Sequence, residues 1–467
     1  MTDTATAIEA ETIYPIPLDK RHGHPRDLFT IWFGSNMMML TLVTGALATT
    51  VYALPLLPAL VSMVVGSLIG GVFMALHAAQ GPRLGVPQMV QTRGQFGSIG
   101  AAPITVLIVL MYIGFAASNL VLGGEGLEFI LPGVGRMGGI LVIAIATLLP
   151  VVFGYRMIHI SAKLMSLFCG LAVLYCLFAI GISGWDVIAS AQDGVVSTRG
   201  VLGTISTAAL WQIAYAPYVS DYSRYLPPDA KGEREAFIAS FSGCVLGSLL
   251  VMTVGAMVGV IAHGASVVST LGLQLGQAAV PILVLLSLGI SVANAMNIYC
   301  GTLSTITVVQ TFTPNLRHAS RSRMATTLIL LLISLAMALF MAKSFLSTYS
   351  EFLELLMSVM VPWTSINLTD YYLIHRGDYD VASFFEPDGG RYGHYNKPAF
   401  FCYFVGILVQ VPFLANGMYI GPMAKLFHGV DLSWCVGLLI TTPLYWYVAR
   451  RWPSLRQHPS NEVAAKI

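Results

Sequence analysis

Apolar runs about as long as a membrane-crossing helix recur along this chain from residue 28 almost to its end, and that leaves few folds open. A helix needs ~20 mostly apolar residues to cross the hydrocarbon core. Runs of that kind lie at approximately 28–57, 59–79, 101–130, 138–153, 162–184, 201–226, 236–262, 281–309, 325–341, 352–374, 398–418 and 432–449. The chain therefore reads as an all-α membrane protein of 12 transmembrane helices. Only 10% of its 467 residues are charged and its mean hydropathy is +0.75, against roughly 25% charged residues in soluble domains. Most of its outer surface must face lipid, which excludes a soluble protein. The formal charge of +2 comes without a clustered basic face, so nothing points to nucleic acid.

Charge placement orients the spans. With the N-terminus inside, 20 of the 24 Lys and Arg residues fall on the cytoplasmic side, among them Arg83, Arg93, Arg156, Arg224, Arg317, Arg321, Arg376, Arg456 and Lys466. Only Arg136, Arg199, Lys343 and Lys425 fall outside. A missed span would invert that bias downstream, so the reading is a multi-pass inner-membrane protein with both termini cytoplasmic. Residues 1–27 are polar, carry Glu9 and Glu11, and lack the apolar core of a signal peptide; they read as a cytosolic tail. Residues 450–467 form a second tail. The six cysteines lie in apolar stretches with no metal-ligand spacing, as small buried hydrophobes do.

Two spans carry interruptions. The first contains Trp32-Phe33-Gly34-Ser35-Asn36 followed by Thr41 and Thr44-Gly45; the sixth contains Trp211 to Tyr218 with Pro217, where helical hydrogen bonding should fail. Backbone freed at membrane depth survives only where protein or a cavity satisfies it. Interrupted helices five spans apart mark transporters built from two inverted five-helix repeats, with substrate at the midplane breaks. The repeats fall at 28–184 and 201–374, with two additional helices at 398–449. An incidental proline kink is the plainer alternative.

Intramembrane polar residues are functional candidates because burying them unpaired is costly. Phe115 and Asn119 lie one turn apart on the third span, a ring to stack and an amide to hydrogen-bond a flat heterocycle. On the eighth span Asn294 and Asn297 share a face, one suited to structure and one, Asn297, to ligand. Tyr215, two residues before Pro217, can stack on a base or merely fill space between repeats. Asp221 and Arg224 could pair as gate, network or interface anchor, and Asp370 with Arg376 repeats the pattern. Glu125, Glu128 and Glu354 are candidate proton carriers, although their place near the interface suits solvated carboxylates; His77 reads as structural.

With those residues in view, the chain resembles the nucleobase:cation symporter family, in particular its purine–cytosine permease branch, over spans one to ten. The resemblance is carried by Trp32-Phe33-Gly34-Ser35-Asn36, by Gly81-Pro82-Arg83 with Gln88-Met89 and Arg93-Gly94-Gln95-Phe96-Gly97, by Pro217 to Pro227, and by Thr369-Asp370-Tyr371-Tyr372 with Arg376-Gly377-Asp378-Tyr379. It implies a leucine-transporter-type fold and uptake of a planar base, cytosine or a purine, by proton or sodium symport. By motif position it places substrate binding on Ser35, Phe115, Asn119, Tyr215 and Asn297. Relatives often carry tryptophan where Phe115 and Tyr215 stand and proline where Met296 precedes Asn297, so the ring size and hydrogen bonding of the pocket differ here. Sodium-coupled relatives usually show two hydroxyls upstream of the Asn297 position; here the pair is Ser291-Val292, which favours proton coupling.

Other heterocycles (allantoin, a hydantoin, a pyrimidine vitamin) remain open as substrates. An amino-acid symporter on the same fold is a rival, its carboxylate held by half-helix N-termini, although rings and amides suit a neutral ring better. No HExxH, Gly-x-Ser-x-Gly or paired intramembrane aspartates suggest a catalytic residue, a cofactor or a metal. No filter loop suggests a channel.

Overall fold

The computed structural model describes residues 13–153, 155–190, 194–262, 264–313, 320–342, 345–415, 419–427 and 429–452. Residues 1–12 and 453–467, with Glu9, Glu11, Arg456 and Lys466, lie outside the described residues, as do Arg317, Lys343 and the side chains of Arg156, Arg321 and Glu354.

The described chain is helical, and its β pairing is one isolated bridge between Ala415 and Ile420. In order come α1 (Pro25–Ser35), α2 (Met39–Thr50), α3 (Leu56–Ala78), α4 (Gln80–Leu84), α5 (Gln88–Phe96), α6 (Ala101–Ile130), α7 (Gly135–Phe153), α8 (Tyr155–Ser183) and α9 (Trp185–Ser190). They are followed by α10 (Thr198–Ile213), α11 (Ala216–Ser223), α12 (Ala230–Ala262), α13 (Val267–Leu275), α14 (Ala279–Phe312) and α15 (Ser320–Met341). Last come α16 (Phe345–Leu368), which continues as a wider π-helical turn over Thr369–His375, then α17 (Lys397–Leu408), α18 (Pro422–Leu426) and α19 (Ser433–Arg451).

Seven of the described helical segments are long and apolar enough to cross a bilayer, and α1 with α2, bent by 60° at their break, make an eighth. The other expected spans, on α10 with α11, α16, α17 and α19, are helical but shorter, broken or less apolar. The bundle exposes large apolar side chains on its outside and buries uncharged polar ones within its largely apolar core. Phe340, Leu439 and Phe178 are 84%, 73% and 69% exposed, while Asn36, Gln80, Asn119 and Asn294 are fully buried. A monomer in water rarely shows so much exposed apolar surface; in lipid that surface is solvated.

Two local facts place the breaks. The ring of a helical proline clashes with the carbonyl four residues back, and for Pro217 that residue is Ile213, where α10 ends. The interruption therefore falls at Ala214–Tyr215, just ahead of Pro217, which sits in the first turn of α11, where a missing N–H costs nothing. At the other break, α14 comes so close that a side chain on Gly289 would meet the Met37 carbonyl at 2.3 Å. α12 packs along α1, α2 and α3, α14 along α6, α7 and α8, and α19 along α16 and α17.

The expected N-terminal tail is not free in its described part. Ile13 and Ile16 are buried, Ile16 N–H donates to the Gly85 carbonyl at 3.0 Å, and Gly23 N–H donates to the Tyr225 carbonyl at 3.0 Å. Arg21 Nε donates to the Ile16 carbonyl and its Nη1 to that of Pro82. This strap lies over the basic end of the bundle, formed by the Arg- and Lys-bearing segments around α4, α5 and 369–397.

Candidate substrate cavity

The two breaks face each other and are latched by one side chain. Asn36 Nδ2 donates to the Trp32 carbonyl at 2.8 Å, its helix's own acceptor, so its Oδ1 must point the other way. That oxygen accepts from Trp211 Nε1 at 2.9 Å and, more loosely, from the Tyr215 hydroxyl at 3.5 Å. Asn36 thus binds the end of α1 to the last turn of α10 and to the second break itself. Ser35, beside it, donates to the Trp32 carbonyl at 3.0 Å.

Between the breaks lies a small cavity. Ser35 and Met38 line it from the first break, Phe115 and Asn119 from α6, Trp211, Ala214, Tyr215 and Tyr218 from the second break, and Ala293, Met296 and Asn297 from α14. All five residues that the sequence pointed to for substrate binding therefore meet at one cavity. Its walls are edge-to-face rings: Phe115 against Trp211 at 6.4 Å, Trp211 against Tyr215 at 6.0 Å, and Phe115 against Phe352 of α16 at 5.6 Å. Among the described residues, no charged side chain lines it.

Sequence reasoning left Trp211 and Tyr218 inside a motif without a role. Trp211 supplies an indole to the wall one turn before Tyr215. The Tyr218 hydroxyl donates to Asn297 Oδ1 at 2.7 Å. Met38 and Met296 complete the apolar lining. The Asn36 latch joins residues 175 positions apart, and no local pattern could have announced it.

The other candidates lie elsewhere. Ser291 is on α14, off the cavity; its buried hydroxyl has no hydrogen-bond partner among the described residues. Asp221, one turn beyond Tyr218, accepts the Gln88 N–H at 2.9 Å, tying α11 to α5. Arg224 Nε donates to the backbone carbonyl of Asp221 at 3.3 Å, so a contact between the expected partners runs through the main chain. Asp370, 2% exposed, is a hub: Oδ2 meets the hydroxyl of Tyr379 and His375 Nδ1, and Oδ1 accepts the Tyr445 hydroxyl at 2.8 Å. An amide ladder leads away from it, from Gln95 through Asn367 to Gln80. Arg93 is buried beside this network, donating to the carbonyls of Phe384 and Thr307 at 2.8 and 2.7 Å. Burial pulls its guanidinium down to about 10, so it stays charged at neutral pH. Glu128 pairs with Arg136 at 3.1 Å, both partly exposed, and Glu125 accepts from Ser266. His77 is buried, with Nδ1 on the Phe73 carbonyl and its ring stacked on Trp363.

Two interrupted helices facing one uncharged cavity inside an apolar-surfaced bundle define a secondary transporter of the broken-helix kind. The chain belongs to the family of permeases for cytosine/purines, uracil, thiamine and allantoin, whose model matches residues 15–437. It is 34% identical over 452 residues to YxlA of Bacillus subtilis (strain 168), a protein provisionally named a purine-cytosine permease, covering 95% of this chain and 96% of that one. It is 24% identical over 425 residues to the purine-cytosine permease fcyB of Emericella nidulans, covering 87% and 81%. Its fold matches that of Mhp1, a nucleobase-cation-symport-1 family transporter solved in a closed conformation with bromovinylhydantoin bound. The TM-score is 0.77 at 16% identity, over 97% of this chain and 98% of that one.

Proposed function

We propose that this multi-pass membrane permease imports a nucleobase, cytosine or a purine, by symport with a proton through alternating access. The observation that carries the reading is the cavity itself: rings from α6, α10 and the second break around two amides, Asn119 and Asn297, with no charge among the lining residues. Flat aromatic walls suit a planar ring. Amides satisfy its donors and acceptors, and an uncharged lining gives a zwitterionic amino acid no ionic partner. Ser35, Phe115, Asn119, Tyr215 and Asn297 are the substrate-binding residues of this reading.

The architecture we infer has 12 spans with both termini cytoplasmic in the cell membrane. The first five (28–184) and second five (201–374) form inverted repeats whose leading helices are broken, and 398–449 adds two more. The matching positions of the α1–α2 and α10–α11 breaks support it. A second reading, a related heterocycle such as allantoin or a hydantoin, is favoured by the span of substrates in the family's description and by the ligand held by Mhp1. A thermal-shift screen of purified protein against nucleobases, hydantoins, allantoin and pyrimidine vitamins separates them. A ligand at ~100 times its dissociation constant stabilises by ~2.7 kcal/mol. If only hydantoins or allantoin raise the melting temperature, the nucleobase reading fails.

A further inference from the structure

An amide side chain can show a partner either its oxygen or its NH2, and what holds its other half decides which. At Asn119 that decision can be traced to the main chain. The Ala116 carbonyl can only accept, and Asn294 Nδ2 donates to it at 3.3 Å. Asn294 Oδ1 therefore faces away from that carbonyl and accepts from Asn119 Nδ2 at 3.0 Å. That bond takes one of the two N–H groups of Asn119 and sets the turn of its amide, and its Oδ1 is left buried without a hydrogen bond among the described residues, on a residue that lines the cavity. Flipping the pair would set Asn294 Oδ1 against the Ala116 carbonyl, two acceptors face to face.

Asn297 shows the opposite polarity. Its Oδ1 accepts from the Tyr218 hydroxyl, which leaves its Nδ2 for a ligand in this arrangement, although a tyrosine hydroxyl can also accept and so does not lock this amide. The cavity thus offers one fixed acceptor, from α6, and an amide on α14 that presents a donor beside it.

We propose that Asn294, which does not itself line the cavity, is a specificity-determining positioning residue: by fixing Asn119 as an acceptor it sets which heterocycle edge is read. The inference rests on the cavity being the substrate site. The required ligand edge places an N–H toward Asn119 and an unprotonated nitrogen or carbonyl oxygen toward Asn297. Amino and oxo bases of one ring shape carry these groups in reversed order. Cytosine has an exocyclic NH2 beside an acceptor nitrogen, whereas uracil has an exocyclic oxygen beside an N–H; adenine and hypoxanthine differ in the same way. In a cavity that holds the ring in one pose, fixed polarity separates the members of each pair.

The test is competition binding of cytosine against uracil, and adenine against hypoxanthine, on the full-length protein and two variants. Wild type should discriminate at least about tenfold within a pair. Asn294→Leu removes both hydrogen bonds and frees the Asn119 amide to turn, so the ratio should collapse toward one. Asn294→Asp keeps an acceptor opposite Asn119 Nδ2, and its protonated form can still donate to Ala116, so the ratio should persist. If Asn294→Leu does not fold, Asn294→Ala carries the same expectation. A merely structural Asn294 would weaken both members of a pair equally. A wild-type ratio near one, a ratio untouched in the Leu or Ala variant, or equal loss in the Asp variant overturns the proposal. Failure of every base to bind wild type overturns the nucleobase reading as well, which distinguishes the two failures.

Discussion

The Tyr218 hydroxyl, on the short helix after the second break, donates to Asn297 Oδ1 at 2.7 Å. That bond ties α11 to α14 at the cavity wall, and with the hydroxyl as donor it leaves the Asn297 Nδ2 for a ligand. Tyr218 is itself braced, since the Tyr112 hydroxyl donates to the Pro217 carbonyl at 2.9 Å and the Tyr112 and Tyr218 rings meet edge to face at 4.5 Å.

Asn297→Ala should therefore abolish concentrative uptake while leaving expression and melting temperature near wild type. A buried ligand group left unpaired costs ~1–3 kcal/mol. Tyr218→Phe keeps the ring and frees the amide to rotate, so it should weaken binding by less than the loss of Asn297 itself. Isothermal titration with the preferred base measures both. Normal binding by the Ala variant would remove Asn297 from the site.

Tyr215 carries a different expectation. Its hydroxyl reaches Asn36 Oδ1 only at 3.5 Å, on an oxygen that Trp211 already occupies well. It can turn to a ligand at little cost. Tyr215→Phe preserves stacking area and should lower affinity for the preferred base, while sparing bases that lack the partner group. The measurement is a competition panel of adenine, guanine, hypoxanthine, cytosine and uracil. An unchanged rank order with unchanged affinities would make Tyr215 a wall and nothing more.

Asp370 has the Tyr445 hydroxyl, the Tyr379 hydroxyl and His375 around one buried carboxylate. Tyr445 lies on α19, so a helix outside the two expected repeats holds the end of α16. Tyr445→Phe should lower stability by ~1.5–3 kcal/mol, the usual worth of a hydrogen bond to a charged group. It should also slow turnover without changing base affinity, because neither residue touches the cavity. Thermal melting with paired uptake and binding assays checks this. A loss of affinity as large as the loss of turnover would contradict it.

What was legible in the sequence followed from local physics. Apolar run length announced the long helices, seven of which, with the bent α1–α2 pair, are long and apolar enough to cross a bilayer, and Pro217 announced the second break to within a turn, because its steric conflict reaches four residues back to Ile213. The spacing of Asn294 and Asn297 suggested one structural and one ligand-binding amide; in the fold Asn294 holds Asn119, while Asn297 lines the cavity. Long-range partners were not legible. Asn36 with Trp211, Gln88 with Asp221, and Tyr445 with Asp370 join elements that only the packed bundle brings together. The tail from Ile13 to Gly23 reads as polar by composition, yet its two isoleucines are buried against the basic end.

The coupling ion is the remaining expectation, and it turns on Ser291. A hard cation needs several oxygen ligands. Near the first break, α14 approaches the Met37 carbonyl at Gly289, and Ser291 two residues on has a buried hydroxyl without a partner among the described residues. The next residue is Val292, which brings no oxygen. Among the other buried hydroxyls without a partner, that of Ser287 faces α6 beside Gly126, and those of Thr41 and Ser118 lie on α2 and α6. At the Ser291-Val292 pair α14 itself offers one hydroxyl, a thin oxygen set for sodium, so uptake should follow protons. In proteoliposomes, base accumulation should rise when the outside is made more acidic than the lumen at constant low sodium, and a sodium gradient at equal pH should add nothing. Ser291→Ala should leave the pH-driven rate within about twofold, because a lost hydroxyl that holds no ion costs little. Uptake that responds to sodium and not to pH, and that collapses in Ser291→Ala, would place a sodium ion at the break and reverse the assignment.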